Sequence, residues 1–138
     1  MRAESEFDVV GWDPSPYDNP HGGVHLSRAT VRKTFKGDLD GESTAELLMC
    51  QADVKDLSAG AGYVASEVVS GKLGSRTGTF VLQHWGLSGG GAAPTTAGHV
   101  VHGSGTDQLV GLSGTVEIAA SVEGKHTLTM EYELPDGD

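Results

Sequence analysis

The chain has 138 residues, 21 of them glycine, and carries 19 acidic against nine basic side chains for a formal net charge of −10. That length forms one domain able to bury a core without staples, so residues 1–138 are read as a single domain with an ordered core from about 4 to 134. The acidic balance opposes phosphate backbones and anionic lipid, no apolar run reaches bilayer length, and the start MRAESEF lacks a signal peptide's basic-then-apolar pattern. No nucleic acid and no membrane are expected as partners, and the expected location is cytoplasmic.

Residues 4–12 alternate, with Phe7, Val9 and Gly11 against Asp8, Val10 and Trp12, and predict a first strand. Residues 13–23, DPSPYDNPHGG, hold three prolines and several turn-formers and predict a loop long enough to serve as a rim or lid. At its end the His21-x-x-x-His25 pair, with Asp18 nearby, has the side chains of metal ligands. A loop fixes no shared face and two histidines are too few for a closed site, so no metal is expected. Residues 26–36 and 42–52 predict the second and third strands, joined through GDLDG at 37–41. With Asp40-Gly41 as the turn, Phe35 faces Glu46, Lys33 faces Leu48 and Val31 faces Cys50, which brings Glu46 inside beside Phe35 and Leu48. A one-residue slip would instead bury Leu47 and Met49. Residues 53–62 link onward, with room for one short turn of helix.

Residues 63–87, YVASEVVSGKLGSRTGTFVLQHWGL, read as a long hairpin about Gly74-Ser75. A two-residue turn sets Leu73 opposite Arg76. One face then carries Tyr63, Ala65, Glu67, Val69, Gly71 and Leu73 with Gly78, Phe80, Leu82, His84 and Gly86. It is the more apolar face and holds the glycines that let a sheet curve, so it is the expected inside. Glu67 and His84 therefore lie indoors, diagonal to each other on neighbouring strands. The outer face carries Val64, Val68, Val81 and Trp85, with Leu87 beyond. That row is more apolar than a solvated wall requires and predicts a subunit contact, most simply in a homodimer.

A glycine-rich loop at 88–94 and a strand at 95–101 follow. Residues 103–114 predict a capped helical turn, with Ser104 or Thr106 as cap and Leu109 and Leu112 pointing inward. A last hairpin, 115–122 and 125–134 about Glu123-Gly124, buries Leu128, Met130 and Tyr132, and an acidic tail ends the chain. About eight strands with short connections predict an all-β protein, an eight-stranded antiparallel barrel with one short helical turn. Such a barrel has room for side chains or one small ligand.

At this point the residues form a recognisable order: Phe7, Val9, Trp12, Asp13 and Tyr17, then LSRATVRKTFKGDLDGE, GKLGSRTGTFVLQHWG and GSGTDQLVGLSG. This order resembles a bacterial family of proteins of unknown function, DUF3224, over residues 6–134. The resemblance implies an allene-oxide-cyclase-like barrel with an interior cavity. Residues 103–114 are similar to the short helical plug that plant allene oxide cyclases and dirigent proteins place between barrel strands. The function-bearing residues of those plant proteins have no counterpart here, so the resemblance carries the fold and no catalytic residue.

Glu67 and His84 are the catalytic candidates, because a buried carboxylate beside an imidazole can relay a proton; the plainer role is a structural hydrogen bond. Glu46 joins them in the first of the two registers. With a lining of Tyr63, Phe80, Leu82, Met130 and Tyr132, the leading expectation is a barrel that binds a small apolar or amphipathic molecule. The rivals are an isomerase or cyclase acting inside the barrel, and a structural barrel filled by its own side chains. Gly89-Gly90-Gly91 and Gly103-Ser104-Gly105 lack the remainder of any nucleotide-binding fingerprint, so no cofactor is expected. Cys50, the lone cysteine, reads as an inert core thiol. His99 and His102 lie three apart at a strand end and point to opposite faces.

Overall fold

The computed structural model describes residues 1–18, 23–56, 58–121 and 123–135. Its strands are β1 (Arg2–Asp18), β2 (His25–Gly37), β3 (Leu39–Gln51), β4 (Ala61–Leu73), β5 (Arg76–Gly89), β6 (Ala92–Val100), β7 (Ser113–Ala120) and β8 (His126–Glu133). They pair antiparallel in sequence order, and β8 returns to β1 to close a barrel. Among the described residues the only helical element is one 3-10 turn at Asp107–Leu109, and no helix is long and apolar enough to cross a membrane. The link between β3 and β4 contains turns but no helix among its described residues.

The β4–β5 hairpin has the expected register, Leu73 opposite Arg76 and Gly71 opposite Gly78. The β2–β3 pair does not have the Asp40-Gly41 turn. Phe35 faces Gly41, Lys33 faces Ser43 and Val31 faces Ala45, and the chain reverses around Asp38. Asp38 is held there by its own backbone, which donates to the Glu4 carbonyl, and by its carboxylate, which accepts from the Glu4 N–H at 2.9 Å. Gly41 serves a different purpose from a turn. It lies opposite Gly71, and a Cβ on it would come within 2.7 Å of the Gly71 Cα. Gly41, Gly71 and Gly78 thus form a row across three strands that lets the wall bend inward. The consequence is that Glu46 points outward, exposed, and takes the Thr30 hydroxyl at 3.0 Å. Leu47 and Met49 take the inner face, packed against Ala29, Val31 and Ala45.

The prolines of residues 13–18 do not end β1. The strand continues to Asp18, pairing only with β2 beyond Phe7, because the β8 ladder stops at the Phe7–His126 pair. A strand with one free side tolerates residues that lack an N–H. His21 of the His21–His25 pair lies outside the described residues, as does the end of the acidic tail. Among the described residues no group of three or more potential ligands could hold a metal ion.

One end of the barrel is closed. Residues 101–112 cross it, and Leu109 and Leu112, both 0% exposed, pack with Leu39, Leu73, Phe80, Leu82, Leu128 and Met130. The segment is not capped as expected, since Thr106 makes no side-chain cap to the turn. Its polar side chains bind β5 instead. The N–H groups of Thr77, Thr79 and Val81 donate to the Gln108 amide oxygen, the Thr106 hydroxyl and the Ser104 hydroxyl, at 2.9, 3.0 and 3.0 Å. These are the alternate donors along a stretch of β5 that β6 does not reach, since the β5–β6 ladder begins at Leu82.

Candidate functional site: a buried charge cluster beneath an open barrel mouth

Inward-facing positions on four strands converge halfway along the barrel. Glu67 of β4 is 1% exposed and ties three neighbours together. Its Oε1 accepts from Lys33 Nζ of β2 at 2.9 Å and from His84 Nε2 of β5 at 2.8 Å, while its Oε2 accepts from the Ser43 hydroxyl of β3 at 2.6 Å. His84 extends the chain, because its Nδ1 lies 3.0 Å from the Tyr63 hydroxyl. Lys33 Nζ also sits 4.6 Å from the centroid of the Phe7 ring, a favourable seat for a cation. None of the buried side-chain polar atoms among the described residues lacks a partner.

Burial pushes the Glu67 carboxyl up, but the bond to His84, the attraction of Lys33 and the bond from Ser43 together outweigh it and lower the group from 4.5 to about 2. Glu67 is therefore an anion facing the Lys33 ammonium. Tyr63 is pushed up from 10 to about 12, by burial first and by the Glu67 charge second, and stays a phenol. At its centre one anion faces one cation, with Ser43, His84 and Tyr63 hydrogen-bonded around them.

Tyr63 is the member of this chain that reaches open space. The end of the barrel opposite the 101–112 segment encloses a cavity of about 690 Å³, lined by Tyr63 with Trp12, Met49, Leu87 and Pro94 among others. A Cβ on Gly86 would lie 2.6 Å from Tyr63 Cε1, so the glycine lets the ring lie flat over β5. The cavity opens where β1 beyond Phe7 has lost β8 and where β6 and β7 share only two residue pairs.

Glu67 and His84 are in contact, as their shared inner face predicts. Lys33 and Ser43 complete the cluster and were not anticipated, although Lys33 has the same parity as Val31 and Phe35. Of the residues expected to line a ligand cavity, Tyr63 does so. Phe80, Leu82 and Met130 do not; they are 0%, 0% and 1% exposed in the filled core, with Tyr132 packed against it. Glu46 is outside the barrel altogether. Cys50 is a free, half-buried thiol at the mouth rather than a core thiol. His99 and His102 are both exposed. Gly86-Leu87-Ser88-Gly89-Gly90 has the spacing of a nucleophile elbow, but it runs from β5 into the turn before β6 with no helix after it, so the strained strand-to-helix context is absent.

Fold and cluster together define a closed, eight-stranded antiparallel barrel, plugged at one end and carrying an ion-pair cluster in its lining. The chain belongs to DUF3224, a family of proteins of unknown function, whose model matches residues 3–132. It is similar to a crystal structure of a protein of unknown function from that family, from Shewanella oneidensis MR-1. The two share 37% identity over 99% of this chain and 98% of the other, with a TM-score of 0.86. No curated protein matches the chain.

Proposed function

We propose that the protein binds a small, largely apolar molecule in the open mouth of its barrel, with Tyr63 as the polar contact. The observation that carries this reading is the cavity of about 690 Å³, a volume typical of small-molecule sites, with a tyrosine held by a buried hydrogen-bond chain among the polar side chains of its lining. The proposed site lies at the mouth and not among Phe80, Leu82 and Met130, where the barrel is solid. Binding is favoured over isomerase or cyclase chemistry on two grounds. General acid–base catalysis works best with groups titrating near the working pH, and Glu67 at about 2 and Tyr63 at about 12 lie far on either side. Glu67 and His84 also lie beneath the cavity and do not line it. Native mass spectrometry of protein purified from its own host tests the reading. A retained metabolite that is lost on Leu87→Arg, at the cavity rim, is the expected result, and a wild-type protein that carries nothing and takes up no small aromatic probe overturns it.

We further propose that the outer face of β3, β4 and β5 meets a second copy of the chain. Arg28, Leu48, Val64 and Trp85 are cross-strand neighbours in one row, and the three apolar members are 48%, 54% and 43% exposed. Val68 and Leu87 extend the patch along the strands, while Val81 is half-buried. Glu46 lies in the row next to Arg28, and a two-fold axis would set these opposite charges across from each other. Sedimentation at micromolar concentration should show a dimer that Trp85→Lys converts to a folded monomer; a monomeric wild type ends the idea.

A further inference from the structure

The hydrogen-bond chain beneath the mouth has a direction, and that direction selects the ligand. Glu67 is ionised and already receives the Lys33 ammonium, so it can only accept, and the His84 Nε2 beside it at 2.8 Å must carry a proton. Lys33 already balances the carboxylate, so a neutral imidazole with its proton on Nε2 completes the pairing. In that tautomer Nδ1 is an acceptor, and the contact at 3.0 Å makes Tyr63 the donor. The Tyr63 hydrogen is therefore committed inward, and its oxygen keeps lone pairs alone for anything that sits in the cavity.

We propose that the ligand is anchored by a hydrogen-bond donor, an N–H or O–H group given to Tyr63 Oη, on an apolar body, and that the site discriminates against isosteres presenting only an acceptor at that point. The inference rests on the mouth being a binding site, as proposed above. It adds Tyr63 as the specificity-determining residue, and it makes His84 and Glu67 positioning residues that fix which way the Tyr63 hydroxyl points. A buried acceptor left facing another acceptor loses its bond and repels its neighbour, so discrimination is expected even between molecules of equal size.

The test uses three bicyclic probes of similar volume: indole, which only donates; benzofuran, which offers only a weak acceptor; and 1-indanone, which offers a strong one. Each is titrated into the full-length protein at about pH 8, above the ordinary histidine range, and followed by two-dimensional amide NMR. Indole should bind on the order of five- to tenfold more tightly than benzofuran, about the worth of one hydrogen bond, with 1-indanone weaker still. Tyr63→Phe, checked for a native amide spectrum, should bring indole and benzofuran to equal affinity. Equal binding of the three probes to the wild type defeats the donor rule and leaves the binding site standing. Tighter binding of 1-indanone reverses the assigned polarity and overturns the inference. Failure of every probe to bind at millimolar concentration removes the binding reading and this inference with it.

Discussion

The two ends of the barrel are made from the same eight strands and finish in opposite states. At the plugged end Leu39, Phe80, Leu109 and Leu112 are each 0% exposed, while at the mouth Trp12 is 54% and Leu87 63% exposed. Lost strand pairing alone does not account for the difference: β1 lacks β8 at the mouth, but β5 lacks β6 at the plugged end, and β3, β4 and β5 remain paired along both halves. What differs is the connection. The β6–β7 link, residues 101–112, folds across one end, while the described residues at the other end leave the cavity open. Closure here is supplied by a segment outside the strand ladder. The charge cluster sits at the boundary between the two regimes, dry on one side and next to the cavity on the other.

The comparison can be broken most severely at that boundary. Glu67→Ala leaves the Lys33 ammonium, 7% exposed, without its carboxylate, and removing one partner of a buried pair is expected to cost about 3–5 kcal/mol. A drop in the urea midpoint at unchanged slope checks it. A loss below about 1 kcal/mol would mean that Lys33 escapes to water and that the cluster does not hold the boundary.

Next in size is the contrast between the ends. Leu109→Ala should cost about 2–5 kcal/mol by opening a cavity in a filled core, whereas Leu87→Ser at the mouth should stay within about 0.5 kcal/mol. Equal losses would erase the distinction between a solid end and an open one.

Acid separates the cluster from the rest of the core. The Glu67 carboxyl titrates at about 2 when folded against an ordinary 4.5. Because the folded value is the lower one, its contribution is complete above the unfolded value. It is lost as pH falls from about 4.5 through about 2, amounting to about 3 kcal/mol in all. Stability measured against pH in wild type and in Glu67→Gln should differ in slope across that window, with the variant flatter; parallel curves would show that other carboxylates govern acid unfolding. The smallest effect belongs to Tyr63→Phe, which removes one hydrogen bond to His84 at the cavity floor and should cost about 1 kcal/mol.

How much of this was legible from residues alone depended on what each residue was for. The β4–β5 hairpin could be read completely, because a short turn at Gly74-Ser75 fixes the register and parity then sorts every side chain. The β2–β3 hairpin could not, because Asp40-Gly41 has the chemistry of a turn while Gly41 is there to let β3 approach Gly71. That misplacement is what carried Glu46 inside. Lys33 was hidden for another reason: a lysine among alternating Val31 and Phe35 has the right parity for the interior, but only the position of Glu67 makes its burial affordable. The cavity is expected among core residues and lies at the mouth, because alternation tells inside from outside and says nothing about height along the barrel axis. Phe80 and Tyr63 share a face and sit in different halves.

The polar side chains of the 101–112 segment have one more consequence, for how the chain behaves in a crowded solution. An unmatched length of strand offers free N–H and C=O groups on which another molecule can add a strand of its own, the first step of sheet-wise aggregation. Between Arg76 and Val81, β5 would be such a template, and Ser104, Thr106 and Gln108 occupy its donors. At the other end β1, without β8 beyond Phe7, carries Pro14 and Pro16, which have no N–H to offer. The open stretches of β5 and β1 are thus poor templates, so that Ser104→Ala with Thr106→Ala would open a growth point for fibres on a protein whose core is untouched.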